Sequence, residues 1–208
     1  MTKLYLSGDP EADQLLSEDP LALLVGMVLD QQIPLERAFS APRDLRRRLG
    51  YEDGPLDPEA IASMAPDKLA EVFAERPALH RFPSANAQRV QRLCQIVTDQ
   101  YGGVAARVWE EAKTGKELFQ RVQALPGFGQ QKAKIFVALL GKQMGVRPPG
   151  WREACRPFGD AGTTYSVADI TSSESLAKVR AYKADMKRAA KASAGRPLTA
   201  SKARRAKG

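Results

Sequence analysis

The chain has 208 residues, of which 43% are hydrophobic and 27% are charged, an ordinary composition for a globular protein. Its two cysteines, Cys94 and Cys155, exclude a disulfide framework and any four-thiolate zinc or iron–sulfur site built from this chain alone. No apolar run approaches the roughly 20 residues of a membrane-spanning helix, and the first residues lack a secretory-signal pattern. We therefore expect a cytoplasmic protein.

The net charge of +8 is unevenly distributed along the chain. From Lys178 to the end, eleven basic residues face one acid, Asp185, so this stretch carries +10 and residues 1–177 carry −2. Residues 191–208 contain a single large apolar side chain, Leu198, which predicts a basic flexible tail. The globular part is close to neutral, so an argument for nucleic-acid binding must rest on a site and not on the total charge.

Helix-start signals recur from the N-terminus onward. Aspartate–proline pairs at residues 9–10, 19–20 and 57–58 combine a capping carboxylate with a proline suited to the first helical turn. Pro34, Pro42 and Pro66 are expected to open further helices. Only residues 3–6 show alternation that favours an extended segment, so the predicted fold class is all-α.

Further helices follow in the second half of the chain. Ser84 is expected to cap a helix over residues 85–101, which Gly102 ends. The strings beginning at Thr114 and Thr171 both have a capping-box pattern. The second of them precedes a long basic helix.

The most informative string is LPGFG, at residues 125–129, which we call the hairpin. It joins a helix with Leu118 and Val122 on its apolar side to a second amphipathic helix. Two glycines separated by one apolar residue allow a tight turn with uncovered backbone N–H groups. With the positive end of the second helix, these groups form an anion site suited to a DNA phosphate. An ordinary helical hairpin with a glycine turn is the alternative.

The hairpin resembles that of the helix-hairpin-helix base-excision glycosylase superfamily, and the resemblance extends over about residues 20–150. It implies a six-helix barrel over residues 21–146, and a second helical lobe from residues 1–20 and 147–190. Double-stranded DNA would lie between the lobes, bound to a monomeric, nucleoid-associated protein. A monovalent cation at hairpin carbonyls is also implied, whereas the iron–sulfur cluster of some members lacks its cysteines here. The DNA-binding residues expected from the resemblance are Gln31, Gln32, Leu125, Gly127, Phe128, Gly129, Gln130, Gln131, Lys132 and Lys134.

Gln31 and Gln32 match the turn with which family members enter the minor groove and fill the gap left by a flipped base. A solvated helix end would also explain two adjacent glutamines. His80 is the chain's single histidine, and a lone histidine in a loop is expected to be exposed, with a DNA contact as the second choice.

The catalytic residues of the family are missing at their usual positions. The family's aspartate follows a Gly/Pro-rich loop about twenty residues beyond the hairpin, where this chain has Trp151. Gln131 stands where bifunctional members carry the lysine nucleophile, so no Schiff base is expected. Lys132 is one residue further along the helix and is expected to face elsewhere, because one residue turns a helix by about 100°.

Four carboxylates are candidates for the missing charge: Asp30, Glu153, Asp160 and Asp169. Asp30 is the first choice because it adjoins Gln31, and Glu153 is the second because it lies closest in sequence to the vacant position. Either can also be an ordinary cap or surface acid. Trp151 is expected either to stack on a flipped base or to fill its pocket.

The sequence therefore predicts a DNA repair protein, and first a monofunctional DNA glycosylase that flips a damaged base and hydrolyses its N-glycosidic bond. The alternative is a non-catalytic duplex-binding protein that retained the phosphate site. A helical protein-interaction domain without a role on DNA is a third reading, which requires the amides of Gly127 and Gly129 to be covered.

Overall fold

A computed structural model describes residues 3–51 and 54–194 of the chain. These residues form eleven α-helices and one short 3-10 helix, and contain no β-strand, which confirms the all-α prediction. The helices are α1 Pro10–Glu18, α2 Pro20–Leu29, α3 Leu35–Arg48, α4 Pro58–Ser63, α5 Pro66–Ala74, α6 Pro83–Tyr101, α7 Arg107–Glu110, α8 Gly115–Gln123, α9 Gln130–Gln143, α10 Trp151–Ala154 and α11 Ser173–Ala194, with the 3-10 helix at Val167–Asp169.

The three aspartate–proline pairs begin helices as predicted. Asp9, Asp19 and Asp57 each accept hydrogen bonds from two amides of the following first turn, and a proline opens each helix. Asp19 also accepts from the amide of Leu56, so its buried carboxyl joins α2 to the loop before α4. Burial raises the pKa of Asp19, although its three backbone hydrogen bonds oppose that shift.

Three predicted helix starts were wrong. Pro42 lies inside α3, where its ring is buried and tertiary packing overrides the missing amide hydrogen bond. The α6 helix begins at Pro83, so Ser84 lies within its first turn. At α11 the cap is Ser172, whose hydroxyl accepts from the amide of Ser175, and the Ser175 hydroxyl accepts in return from the amide of Ser172.

Residues 3–6, for which the alternation favoured an extended segment, form neither a helix nor a strand. Leu4 and Leu6 are buried, whereas their amides donate to the Ser17 hydroxyl and the Asp13 carboxylate of α1. Side chains of one helix thus replace the second strand that the alternating pattern would otherwise need.

Two apolar helices lie deepest in the molecule. Every residue from Leu21 to Leu29 in α2 is buried, as is the stretch from Phe136 to Gly141 in α9. One continuous cluster of buried side chains extends from Leu4 to Val179. The division into two lobes and the six-helix barrel remain predictions.

The long basic helix α11 continues to Ala194, so the first residues of the predicted tail are helical. This extension agrees with the alanine- and lysine-rich sequence there, since both residues favour helices. The rest of the predicted tail, residues 195–208, lies outside the described residues. None of the described helices is long and apolar enough to cross a membrane.

Candidate nucleic-acid interface

A cavity of about 430 Å³ lies where α2, the hairpin, the 3-10 helix and α11 meet. Its volume falls in the range of about 300–1,000 Å³ that is typical of small-molecule sites. Its lining consists of Met27, Asp30, Gln31, Gly127, Gly129, Gln130, Gln131, Lys132, Ile135, Val167 and Lys183. The structure thus brings the hairpin glycines and the end of α2 to one opening.

The two hairpin glycines differ in their backbone conformation and in the space around them. Gly127 has φ +82°, and a Cβ there would lie 2.8 Å from Cδ of Arg89, so both conformation and space require glycine. Gly129 is the N-cap of α9 with φ −69° and ψ 170°, and a Cβ there would meet nothing within 4 Å. No side chain caps α9, and the residues of its first turn line the cavity, which leaves their amides available to a ligand there.

The side chains of Leu125 and Phe128 support the hairpin from the protein interior. Both side chains are buried, and the Phe128 ring packs edge-to-face against Phe136 with ring centroids 5.6 Å apart. The amide of Phe128 donates to the carbonyl of Leu125 across the turn. These two residues therefore fix the shape of the hairpin, and only their backbone is available to a ligand.

Asp30 is the C-cap residue of α2, and it is the only acid among the described residues that line the cavity. A carboxylate at a helix C-terminus is unfavourable on its own, because the helix dipole is negative there. The Lys132 amine compensates by donating to the carbonyls of Met27, at 2.6 Å, and Val28, at 3.1 Å. A cation thus lies between the end of α2 and the hairpin.

The expectation that Lys132 faces away from the site was wrong. Lys132 and Gln131 both line the cavity, because the four-carbon stem of lysine carries its amine to the last turn of α2. Burial lowers the pKa of the Lys132 amine to about 8; the nearby charge of Asp30 opposes this shift and Arg89 adds to it.

Gln31 lines the cavity and Gln32 follows it; both side chains are exposed, and Gln32 has the unusual φ of +57°. His80, which we expected to be exposed, is only 3% exposed. Its Nε2 atom lies 2.8 Å from the carbonyl oxygen of Gln31. The histidine is buried because it supports the turn that carries the glutamines.

Sequence reasoning missed two exposed residues beside this turn. Phe82 is 45% exposed, and the Arg81 guanidinium lies 5.3 Å from the centre of its ring. An exposed aromatic ring with a stacked arginine is suited to unpaired bases. The sequence signal was the arginine–phenylalanine pair itself, but its meaning depended on the fold bringing it next to Gln31.

The remaining candidates lie elsewhere. Glu153 and Asp160 are exposed and do not line the cavity. Trp151 is buried with its ring against Gly141, where a Cβ would lie 2.3 Å from the ring, and it lines a separate depression. Asp169 lines that depression too, paired at 2.6 Å with Lys142.

The polar residues after the hairpin are divided between the cavity and its surroundings. Gln130 and Gln131 are exposed at the cavity, whereas Lys134 is half-buried and does not line it. Lys183 of α11 lines the cavity from the opposite side, and the sequence reasoning had counted it only as part of the basic stretch.

A family model described as HhH-GPD superfamily base excision DNA repair protein matches residues 25–197. The chain belongs to this superfamily. No curated protein matches the chain. As a superfamily member the protein belongs to base excision DNA repair, and the match includes the second half of α2, the hairpin, the residues that line the cavity and α11.

Proposed function

We propose that this HhH-GPD protein is a monofunctional DNA glycosylase that binds double-stranded DNA as a monomer and uses Asp30 as its catalytic charge. The observation that carries the proposal is the position of Asp30, the one acid on the lining of the cavity among the described residues. The other candidate acids, Glu153 among them, lie away from that lining, so the geometry favours Asp30.

DNA would bind through its backbone first. The open amides of the α9 first turn and Gly129 would hold one phosphate, with Gln130, Gln131 and Lys134 as polar neighbours. Lys183 would contact the backbone from the other side of the cavity. The glutamine turn, residues 31 and 32, would enter the minor groove and occupy the place of the flipped nucleotide.

The flipped nucleotide would enter the cavity between Asp30 and the hairpin. As the C1′–N bond breaks, its electron pair leaves with the base, and positive charge develops on the sugar. The Asp30 carboxylate would stabilise that charge, the oxygen of a water molecule would bond to C1′, and the proton released from that water would pass to the departing base. One positioned charge of this kind is worth about 10²–10³ in rate.

The proposal also includes that the protein has no lyase activity. Gln131 has no amine, and the Lys132 amine already donates to two carbonyls of α2. At pH 7 an amine with a pKa of about 8 is mostly protonated, and an ammonium ion has no lone pair to attack an aldehyde, so Lys132 would serve α2 and Asp30 instead. A monovalent cation at the hairpin stays a prediction; the Leu125 carbonyl there already accepts from Phe128.

One observation favours a second function. The Lys132 ammonium lies beside Asp30 and offsets part of its negative charge, which suits a protein that binds lesions without cutting them. A base-release assay on a panel of duplexes with deaminated, oxidised or alkylated bases separates the two. Release of any base with the sugar–phosphate chain left intact supports the monofunctional glycosylase. Tight duplex binding without release from any lesion supports the non-catalytic binding protein.

A further inference from the structure

His80 connects two exposed segments through three hydrogen bonds. Its Nε2 donates to the Gln31 carbonyl at 2.8 Å, and its Nδ1 accepts from the Phe82 amide at 3.0 Å and from the Asn86 side-chain amide at 2.7 Å. The chemistry of these partners assigns the tautomer. A carbonyl can only accept and an amide N–H can only donate, so the ring is neutral with its proton on Nε2.

The two segments joined by His80 are the glutamine turn and the pair Arg81 and Phe82, which we call the aromatic segment. Gln32 holds φ +57°, a conformation that a non-glycine residue keeps only when its surroundings fix it. The His80 bond to Gln31 provides such fixation next to it. The aromatic segment presents the exposed Phe82 ring, and its own backbone amide is bonded to His80.

The same network continues to the hairpin. The Asn86 side-chain oxygen accepts from Arg89 at 2.8 Å, and the Arg89 stem covers Gly127. An unbroken set of contacts therefore runs from the phosphate-binding turn through Arg89, Asn86 and His80 to Gln31.

We infer that His80 is a positioning residue that locks the glutamine turn and the aromatic segment into one two-pronged element, which enters the duplex beside the flipped nucleotide. This inference rests on the proposed function, because it needs DNA in the cavity. Apolar and aromatic side chains inserted between base steps unstack them, and the Phe82 ring would do so next to the glutamines.

The lock is sensitive to acid. Burial lowers the pKa of His80; its bond to the Gln31 carbonyl opposes this, and the cations of Arg89 on α6 and Lys132 on α9 add to it. Asp30, at the end of α2, acts in turn on the charge of Lys132. Protonation of Nδ1 would place its new N–H against the N–H groups of Phe82 and Asn86, which also donate. Both hydrogen bonds to Nδ1 would therefore break together. The lock is intact above the ordinary histidine pKa of about 6.5 and is lost as the pH falls through the lower, folded-state pKa.

The tautomer and the pKa can be read without DNA, because His80 is the only histidine of the chain. Nitrogen-15 NMR of the full-length, untagged protein should show a neutral ring with the proton on Nε2 at pH 7, titrating below pH 6.5. A ring that titrates at or above 6.5, or carries its proton on Nδ1, overturns the inference.

Insertion is measured with 2-aminopurine placed next to a tetrahydrofuran abasic analogue in a duplex, since its fluorescence rises on unstacking. The wild-type protein should raise the fluorescence, and His80→Phe and Asn86→Leu should lose at least fivefold of that rise while binding undamaged duplex within about threefold of wild type. The fluorescence rise should also be lost as the pH falls, with the same midpoint as the NMR titration of His80.

The matched control is Gln91→Leu, which removes another buried polar side chain of α6, bonded to the Met64 carbonyl. This variant should keep the fluorescence rise. A full rise in folded His80→Phe and Asn86→Leu overturns the inference and leaves the proposed function standing. Failure of the wild type to bind any duplex counts against the proposed function itself. If both variants unfold, the pH midpoint decides alone.

Discussion

A substitution at Gly129 separates an effect on DNA binding from an effect on folding stability. Its φ and ψ are open to any residue, and a Cβ would meet nothing within 4 Å. In Gly129→Ala, the weaker N-cap preference of alanine opposes the entropy that alanine removes from the unfolded chain. The free energy of unfolding should therefore change by less than about 1 kcal/mol.

Binding should respond much more strongly, because the added methyl group lies where a phosphate must approach the α9 amides. A hydrogen bond to a charged group contributes about 1.5–3 kcal/mol, so losing one weakens binding roughly 10- to 150-fold. Fluorescence anisotropy with a short duplex measures the affinity, at a salt concentration high enough to screen the basic C-terminal stretch. Thermal unfolding of the same samples measures stability.

Gly54→Ala is the matched control, because Gly54 also has free space around its Cβ position and no left-handed φ. It should alter neither stability nor affinity. By contrast, Gly127→Ala meets Arg89 and a φ of +82°, so it should destabilise the protein by about 1–3 kcal/mol. If Gly129→Ala melts normally and binds duplex within twofold of wild type, the hairpin does not hold phosphate and the reasoning fails.

Three further predictions concern Lys132 and the C-terminal stretch. Borohydride with abasic-site DNA should trap no covalent adduct at pH 7, and an adduct mapped to Lys132 would overturn the assignment of this lysine to α2. Because the pKa of Lys132 is about 8 instead of 10.5, the wild type should gain about 3 kcal/mol of stability between pH 8 and 10.5 relative to Lys132→Met. Urea unfolding across that range measures the difference, and parallel curves would refute it. Truncation after Ala194 removes five basic residues and should make the salt dependence of duplex binding shallower, by up to about 0.9 in slope for each phosphate released. An unchanged slope would show that residues 195–208 do not engage the DNA backbone.

The local signals in the sequence predicted much of the fold. Asp9, Asp19 and Asp57 cap helices because the cap is a contact between near neighbours, and the hairpin string encodes its own turn. The prediction that Pro42 begins a helix was wrong because its position inside α3 depends on packing against distant residues, which a local rule does not include.

The site was predictable where a residue's role follows from its own segment. Asp30 was singled out because it adjoins Gln31 in the same segment, and both residues line the cavity. The burial of His80 and the path of Lys132 depend on partners 49 and 105 residues away in the chain. Helical periodicity describes which face of its own helix a residue occupies, and it cannot describe how far a flexible lysine stem reaches across to another helix.

The most direct test of the account is single-turnover base release by Asp30→Asn beside Glu153→Gln. Both changes replace a carboxylate by an amide of the same shape, but only Asp30 lines the cavity. On any lesion that the wild type processes, Asp30→Asn should lower the rate at least tenfold, towards the roughly 10²–10³ expected for one positioned charge, with duplex affinity nearly unchanged. Glu153→Gln should keep the wild-type rate. Full activity in Asp30→Asn would contradict the central claim and place the catalytic charge on another residue.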